Sequence, residues 1–559
     1  MPYTDLRDWI RQLDKAGELK RIREAVSPYL EMAEIADRTA KLGRGTAAAG
    51  GSALLFENVT GFPGAKVLMN QFGSERRMKL ALETDSLDSI ADRIRTLIHP
   101  ETPSGFVAKL KLLPRLAEVG SFFPKVISAK DAPCKQVIHH LSPEQGGPAG
   151  GKGIDLRKLP ILTTWPEDGG PFITLPCVVT RDPRSSTPQP GKRNVGMYRM
   201  QVYDGQTTGM HWQRQKVAAE HLRDRLRQAT SEDSCAPSVA LLRSVPDEAA
   251  RVDIMALTSG GTAAAAVTAT IPAATLARVR EGRMEVAVAI GTDPATTFSA
   301  IVPAPPDVEE YLIAGFLRGR PVELVKCETV DLEVPAHAEY ILEGYVSLTE
   351  LRPEGPFGDH TGFYTMQEPY PVFHLTCITH RKDPIYAATI VGKPPMEDAW
   401  MGKAVERIFL PLMQLTLPEI VDVCLPPEAC FHNLMIVSIR KSYAGHARKI
   451  MNGIWAMGQA MFTKCIIVVD EDCDVQNLAE VTLRTANNID PERDIQFTLG
   501  PIDSLDHASR LPNFGSKMGI DATRKWPAEG FHRPWPQMLK QDPAIAAKID
   551  AIWSRLGIE

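Results

Sequence analysis

The run Lys464-Cys465-Ile466-Ile467-Val468-Val469-Asp470 decides the fold class. Its nearly continuous apolar sequence is typical of a strand buried on both faces of a parallel sheet. Helical patterns over 448–459 and 477–485 flank this strand, and such an alternation of helix and strand predicts an α/β domain. A closing helix is predicted over 544–556, where its apolar residues could pack on a second subunit.

The sequence outward from this run predicts three domains. Residues 1–115 mix helical patterns with short strands and are predicted to form a small N-terminal α/β domain. Residues 116–330 are β-rich, with strand patterns at 172–180, 196–203, 283–290 and 297–302 and a largely helical elaboration over about 222–282. Residues 331–559 are predicted to form the C-terminal α/β domain. The fold class is therefore α/β, with mixed α+β character.

Composition excludes several classes of function. The net charge of −5 over 559 residues argues against nucleic acid as the main partner. The nine cysteines form no Cys-x-x-Cys motif, which favours buried thiols in a reducing cytoplasm over a disulfide framework. No stretch has the density of large apolar residues that a membrane span requires. We therefore expect a cytoplasmic globular protein with no nucleic acid or membrane partner.

Candidate chemistry begins with the segment Glu354-Gly355-Pro356-Phe357-Gly358-Asp359. Glycine and proline prevent a helical path and fix sharp bends in the backbone. Two acids held in different environments are how a fold separates a proton donor from a charged partner. The alternative is a pair of loop acids in water, but so constrained a segment favours the functional interpretation.

The segment 194–199 supplies a cation and an oxygen donor. A strand alternation would place Arg199 on the same face as Met197 and Gln201, and a partly buried arginine requires a carboxylate partner. A structural ion pair with any acid remains an alternative. Asn194 and Glu310 are oxygen donors of the kind that Mg²⁺, Mn²⁺ or K⁺ bind, although Glu310 fits equally well in the acidic first turn of a helix.

Several motifs together resemble the UbiD family of prenylated-FMN-dependent decarboxylases, in family order along most of the chain. The stretches that carry the resemblance are TWPEDGGPFITLP at 164–176, NVGMYR at 194–199, KCETVDL at 326–332, EGPFGD at 354–359, GKPPMED at 392–398 and KMGIDAT at 517–523. The resemblance implies that the central domain is a split β-barrel that binds the flavin, and that the C-terminal helix takes part in a homodimer or higher homo-oligomer.

The resemblance also implies the site residues. The catalytic residues are Arg199, Glu354 and Asp359; Glu354 orients Arg199, and Asp359 exchanges a proton with the substrate carbon. Donation near neutral pH would require a raised pKa at Asp359. Prenylated FMN is expected with Mn²⁺ (or Mg²⁺) and K⁺. The implied cofactor-binding residues are Asn194, Val195, Met197, Tyr198, Arg199, Gln215 and Glu310, of which Asn194, Gln215 and Glu310 are implied metal ligands.

One metal position departs from the family pattern. Gln215 stands where histidine is usual, and an amide oxygen binds Mn²⁺ or Mg²⁺ more weakly than imidazole. His211, four residues earlier, is the alternative ligand.

The implied activity is a reversible, non-oxidative decarboxylation, in which an aromatic, heteroaromatic or α,β-unsaturated carboxylic acid forms a covalent prenylated-FMN adduct and loses CO₂. A flavin prenyltransferase is the expected partner for cofactor supply. Two alternatives are open: a subunit of a multi-subunit aryl carboxylase similar to phenylphosphate carboxylase, and a non-catalytic flavin-binding protein.

Overall fold

A computed structural model describes residues 3–43, 49–98, 113–184, 192–213, 216–231, 281–304 and 308–558. The N-terminal region packs helices on short strands. Its first helix buries Leu6, Trp9, Ile10 and Leu13, which repeat at the helical period, and Asp5 caps its N-terminus. The elements are α1 (Leu6–Lys15), β1 (Leu19–Ile22), α2 (Glu31–Ala40), β2 (Ala53–Phe56), β3 (Lys66–Met69), α3 (Glu75–Ala81), α4 (Leu87–Ile98) and α5 (Leu113–Ser121).

The central region is mainly antiparallel. Its strands are β4 (Lys125–Val126), β5 (Val137–His140), β6 (Phe172–Ile173), β7 (Cys177–Arg181), β8 (Arg193–Gly196), β9 (Met200–Gln201), β10 (Thr207–Gly209), β11 (Arg283–Ile290), β12 (Glu323–Lys326), β13 (Glu333–Pro335), β14 (Tyr340–Glu354), β15 (Phe357–Gly358), β16 (Tyr364–Thr365), β17 (Glu368–His380) and β18 (Ile385–Ala387). Its helices are α6 (Val217–Ser231), α7 (Pro294–Ser299) and α8 (Glu310–Arg318).

One seven-stranded sheet organises these elements, in the order β10-β17-β14-β11-β7-β8 with β5 also paired to β17. Strands on both sides of residue 330, where we expect a domain boundary, therefore pair in the same sheet. Strand β18 leaves this region and pairs in parallel with β3, which completes the N-terminal sheet β1-β2-β3-β18. Among the described residues no sheet closes into a barrel, so the split barrel is seen only as an antiparallel sheet.

The predicted strand at 297–302 is wrong. Residues 297–299 form the end of α7 and residues 300–302 the turn that follows, because Asp293 caps the backbone N–H of Thr296 and Pro294 occupies the first turn of the helix. Every residue of α7 is buried. The segment therefore lacks the one-sided apolar pattern of a surface helix, and its sequence suggests a buried strand instead. The predicted strand at 196–203 is divided between β8 and β9, and the helical elaboration is seen as far as Ser231; residues 232–280 lie outside the described part.

The C-terminal region confirms the α/β prediction. Strand β21, formed by the run that decides the fold class, lies between two parallel neighbours in the order β19-β20-β21-β23-β22. The elements are α9 (Glu397–Thr416), β19 (Ile420–Cys424), β20 (Leu434–Ile439), α10 (His446–Trp455), β21 (Cys465–Asp470), α11 (Leu478–Asn488), α12 (Pro491–Asp494), β22 (Ile495–Pro501), β23 (Phe514–Asp521) and α13 (Pro543–Asp550).

Three further observations bear on the expectations from sequence. Each cysteine in the described ranges is a free thiol. Within those ranges no helix combines the length and apolar character needed to cross a membrane. The final helix α13 has no buried residue, so its apolar side chains remain exposed on this chain.

Candidate active site

The acid segment begins where β14 ends. Glu354 is the last residue of β14 and pairs with Glu368 of β17. The chain then turns through Gly355, whose φ of +102° is a conformation that L side chains rarely adopt, and through a cis peptide bond to Pro356. Asp359 follows the two-residue strand β15. The Gly-Pro pair therefore redirects the backbone so that both carboxylates face the same space.

A second segment holds this turn in place. Asp168 accepts hydrogen bonds from the backbone N–H groups of Gly358, at 2.8 Å, and of Trp165, at 2.9 Å. Gly169 donates its N–H to the carbonyl of Pro356 at 2.8 Å. A Cβ at Gly358 would lie 2.1 Å from Cδ1 of Trp165, so glycine is required there. The stretch 164–169 is thus a clamp on the acid segment, a role that its sequence alone did not reveal.

Arg199 lies in the gap between β8 and β9. The strand is interrupted because the ring of Tyr198 folds over Gly196, where a Cβ would lie 2.3 Å from the ring, and because Met197 donates its N–H to the carbonyl of Ala300. Gln201, beyond the gap, accepts the N–H of Gly355 at 2.8 Å. The side chains of Arg199 and Gln201 both reach the acid segment, although the continuous strand that the predicted alternation assumed is interrupted at Arg199.

The structure brings the three predicted catalytic side chains into contact. Arg199 donates from Nε to Glu354 at 2.9 Å and from Nη2 to the other oxygen of Glu354 at 3.3 Å. Its Nη1 lies 2.5 Å from Oδ2 of Asp359. The guanidinium carbon stacks 4.4 Å from the ring centroid of Phe357, the aromatic residue between the acids. Side-chain exposure is only 9% for Arg199 and 0% for Glu354.

Electrostatics keep both acids ionised. Burial by itself raises the pKa of Glu354, but the charges of Arg199 and His211 outweigh burial and lower this pKa to about 2. Burial likewise raises the pKa of Asp359, yet His360 and Arg199 hold it below its usual range. The expectation of a raised pKa at Asp359 is therefore wrong in this arrangement, because two cationic partners contact this carboxylate.

Three histidines complete the site, of which the sequence analysis named only His211, as an alternative metal ligand. Nδ1 of His211, the alternative metal ligand suggested by the sequence, lies 2.8 Å from Glu354. His360 contacts Asp359 through Nδ1 at 2.8 Å. On its other side, Nε2 of His360 lies 2.9 Å from Nε2 of His432. The adjacency of His360 to Asp359 in the sequence was the only available signal.

The predicted cofactor and metal residues that the structure describes lie on or near β8. The N–H of Val195 donates to Glu310 at 2.8 Å, which brings the first residue of α8 beside the strand. Burial is the main cause that raises the pKa of Tyr198 to about 12; the nearby side chain of Asn194 lowers this pKa and the charge of Glu310 raises it further. Asn194, Glu310 and Tyr198 thus form one buried polar group, and Met197, beside Tyr198 in the chain, donates its backbone N–H to Ala300.

One feature of this group fits a cation, and another fits a hydrogen-bond acceptor. Burial raises the pKa of Glu310 to about 8, and no basic side chain of the described ranges pairs with it. Nδ2 of Asn194 is buried and lacks a hydrogen-bond partner among the described residues. Gln215 lies outside the described residues, and within them no three His, Cys, Asp or Glu side chains gather as a metal site. Asn194 and Glu310 therefore offer an incomplete set of oxygen donors.

Three family models match the chain, and all describe domains of one class of carboxy-lyase. They are the N-terminal domain (residues 10–96), the Rift-related domain (125–243 and 250–394) and the C-terminal domain (399–522) of the 3-octaprenyl-4-hydroxybenzoate carboxy-lyases. The chain therefore belongs to the UbiD family.

Individual relatives match over their full lengths. An uncharacterized protein of Archaeoglobus fulgidus is 46% identical over 557 residues, which is 100% of this chain and 99% of the relative. Vanillic acid decarboxylase of Sedimentibacter hydroxybenzoicus, in closed form, has 25% identity and a TM-score of 0.77 with 100% of both chains covered. Its open form, at 25% identity and covering 100% and 99%, has a TM-score of 0.70.

A further similar structure contains the flavin. An evolved dimeric form of the UbiD-class enzyme HmfF of Pelotomaculum thermopropionicum, in complex with prFMN, is 25% identical with a TM-score of 0.67. The similarity covers 97% of this chain and 98% of HmfF.

Proposed function

We propose that this protein is a carboxy-lyase that removes CO₂ from an aromatic, heteroaromatic or α,β-unsaturated carboxylic acid with prenylated FMN as cofactor. The observation that carries the proposal is the buried contact of Arg199 with Glu354 and Asp359, held in the fold of the UbiD family. Two similar structures, a vanillic acid decarboxylase and a UbiD-class enzyme in complex with prFMN, agree with it.

Each residue of the trio has a distinct task. Arg199 binds the substrate carboxylate, since its planar fork suits a carboxylate and its charge favours the ionised acid. Glu354 makes two hydrogen bonds to Arg199, which fix the plane of the guanidinium. Asp359 gives the proton that replaces CO₂ on the substrate carbon. When bound, prenylated FMN supplies the electron acceptor that no side chain provides.

The segment 194–199 is the proposed wall of the cofactor site. Its residues Asn194, Val195, Met197 and Tyr198 lie on or directly after β8 and lead to Arg199, so that cofactor and trio would adjoin. Glu310 and Asn194 would hold Mn²⁺ or Mg²⁺ through oxygen, with K⁺ as a second ion, and Gln215 is the proposed third metal ligand. Glu310 supports this assignment, because it is a buried carboxyl with a raised pKa and no basic partner among the described residues, and a bound cation would favour its ionised form.

The decisive experiment uses Asp359→Asn. The full chain is produced together with a flavin prenyltransferase, and CO₂ release is measured across a panel of aryl and unsaturated acids. We expect the variant to keep the flavin absorbance of the wild type and to lose about 10²–10⁴-fold in turnover, because a positioned acid contributes that much. Turnover equal to the wild type would remove Asp359 from the mechanism.

The same assay separates the alternatives. Activity of this single polypeptide opposes an obligate subunit of a larger aryl carboxylase, and the intact trio opposes a non-catalytic flavin carrier. Bicarbonate at high concentration tests the reverse carboxylation. We also propose a cytoplasmic location and a homodimer or higher homo-oligomer. The exposed apolar residues of α13 support the oligomer.

A further inference from the structure

His360 lies between the acid segment and the C-terminal region. Nδ1 of His360 is 2.8 Å from Oδ1 of Asp359, and its Nε2 is 2.9 Å from Nε2 of His432. The two rings meet edge to face at 83°, with centroids 5.1 Å apart. His432 belongs to the family's C-terminal domain and His360 to its Rift-related domain. A continuous hydrogen-bonded path thus leads from Asp359 across the domain boundary.

The positions of the protons follow from the partners. Nδ1 of His360 faces an ionised carboxylate, so it must carry a hydrogen. Two Nε2 atoms at hydrogen-bonding distance require one donor and one acceptor. Both contacts are satisfied when His360 is an imidazolium that donates at each nitrogen and His432 is neutral and accepts. A neutral His360 that accepts at Nε2 from His432 satisfies them as well, so the surrounding charges decide between the two arrangements.

The surrounding charges favour this assignment. Burial lowers the pKa of His360, but Asp359, Asp398 and Asp503 outweigh burial and raise it to about 9. Burial is the main cause that lowers the pKa of His432 to about 4, although Asp503 and Asp359 oppose it and His360 and Lys216 add to it. Asp398, at the start of α9, has a pKa raised to about 6, mainly by burial. Near neutral pH the proton therefore belongs on His360.

We propose that the proton which Asp359 delivers to the substrate carbon is stored on His360, and that His432 is the positioning residue that orients His360 for this transfer. This inference rests on the proposed decarboxylase function. It resolves the conflict between an ionised Asp359 and its task as a proton donor, because the acid needs to hold the proton only in transit.

The proton transfer conserves atoms and electrons. The bond between the substrate carbon and its carboxylate breaks, CO₂ leaves, and the electron pair stays with the substrate. The Nδ1–H bond of His360 breaks while an O–H bond forms on Asp359. That O–H bond then breaks as the new C–H bond forms. His360 is left neutral and regains a proton from water, so each turnover consumes a proton and releases CO₂.

Two substitutions at one position test the role of His432. His432→Leu removes the acceptor for His360, and we expect kcat to fall roughly 10–100-fold, the range for losing a hydrogen bond to a charged group. The high-pH decline in kcat, which follows loss of the His360 proton near pH 9, should move to lower pH. His432→Gln keeps an acceptor oxygen and should restore most of the rate and the pH profile.

The chain offers a matched control. His139 and His380 also meet through Nε2 atoms, at 3.1 Å, outside the site, so His139→Leu should leave kcat and its pH profile unchanged. Equal loss in His432→Leu and His432→Gln with an unshifted profile would overturn the positioning role, since it would indicate a purely structural effect.

A second measurement needs no cofactor. Histidine Cε1 resonances of the full-length protein are titrated by NMR, with the His360 signal assigned from His360→Gln. The midpoint of His360 should lie near 9 in the wild type and fall in Asp359→Asn. A wild-type midpoint near 6.5 would refute proton storage. If the loaded wild type releases no CO₂, the proposed function fails, while the titration still decides where the proton lies.

Discussion

Replacing Arg199 with methionine should destabilise the protein in a strongly pH-dependent way. Methionine has a similar length but no charge, so Arg199→Met leaves Glu354 and Asp359 buried without the cation that contacts both. Removing one partner of a buried ion pair costs about 3–5 kcal/mol, because the other charge remains desolvated. The decrease in unfolding free energy caused by Arg199→Met should reach this range at neutral pH.

The size of the pH effect follows from Glu354. Its pKa falls from 4.5 to about 2 in the folded protein, and at about 1.36 kcal/mol per unit this shift represents about 3 kcal/mol of stability. A lowered pKa contributes stability above pH 4.5, which is lost as the pH falls through 2. Without Arg199 the desolvated carboxylates favour their protonated forms, so the variant loses stability as the pH rises. The difference in unfolding free energy between variant and wild type should therefore be smaller at pH 4.5 than at pH 7.5.

Urea unfolding followed by tryptophan fluorescence at both pH values measures this difference. Arg157→Met is a suitable control, since Arg157 is 70% exposed and pairs with Asp155 in water; it should leave the transition unchanged. If Arg199→Met shifts the transition equally at both pH values, or no more than the control, the electrostatic reasoning about the trio is refuted.

Further predictions concern the metal group and the clamp. Mn²⁺ should raise the thermal unfolding midpoint of the wild type but not of Glu310→Gln, which loses a charged oxygen ligand; an equal rise in both would contradict the assignment of Glu310. Gly358→Ala should cost about 1–3 kcal/mol by overpacking and displace the acid segment, because the new Cβ would meet Trp165 at 2.1 Å. Gly120→Ala, which meets nothing within 4 Å, is its control, and equal stability of the two variants would contradict the clamp.

The sequence predicted best what local patterns determine. The apolar run at 464–470 forms a strand with parallel neighbours, and the periodic residues of α1 are buried, because both signals depend on burial alone. The dependence on burial also explains the wrong prediction at 297–302. The Thr, Ala and Val residues of this segment suggest a strand, but Asp293, four positions before it, caps a helix. A single capping residue outweighs the weak strand propensity of so short a segment.

The active site shows where prediction from local sequence stops. Arg199 and Glu354 are 155 residues apart in the chain, so only the resemblance to a family could pair them. That resemblance could assign Asp359 a role but not a protonation state, because a pKa depends on tertiary neighbours. His360 was visible beside Asp359, whereas its partner His432 comes from a different domain, 72 positions away. An acid that two cations keep ionised can still donate a proton if one of them is itself the proton's source, and that condition becomes visible only when the contacts across the domain boundary are known.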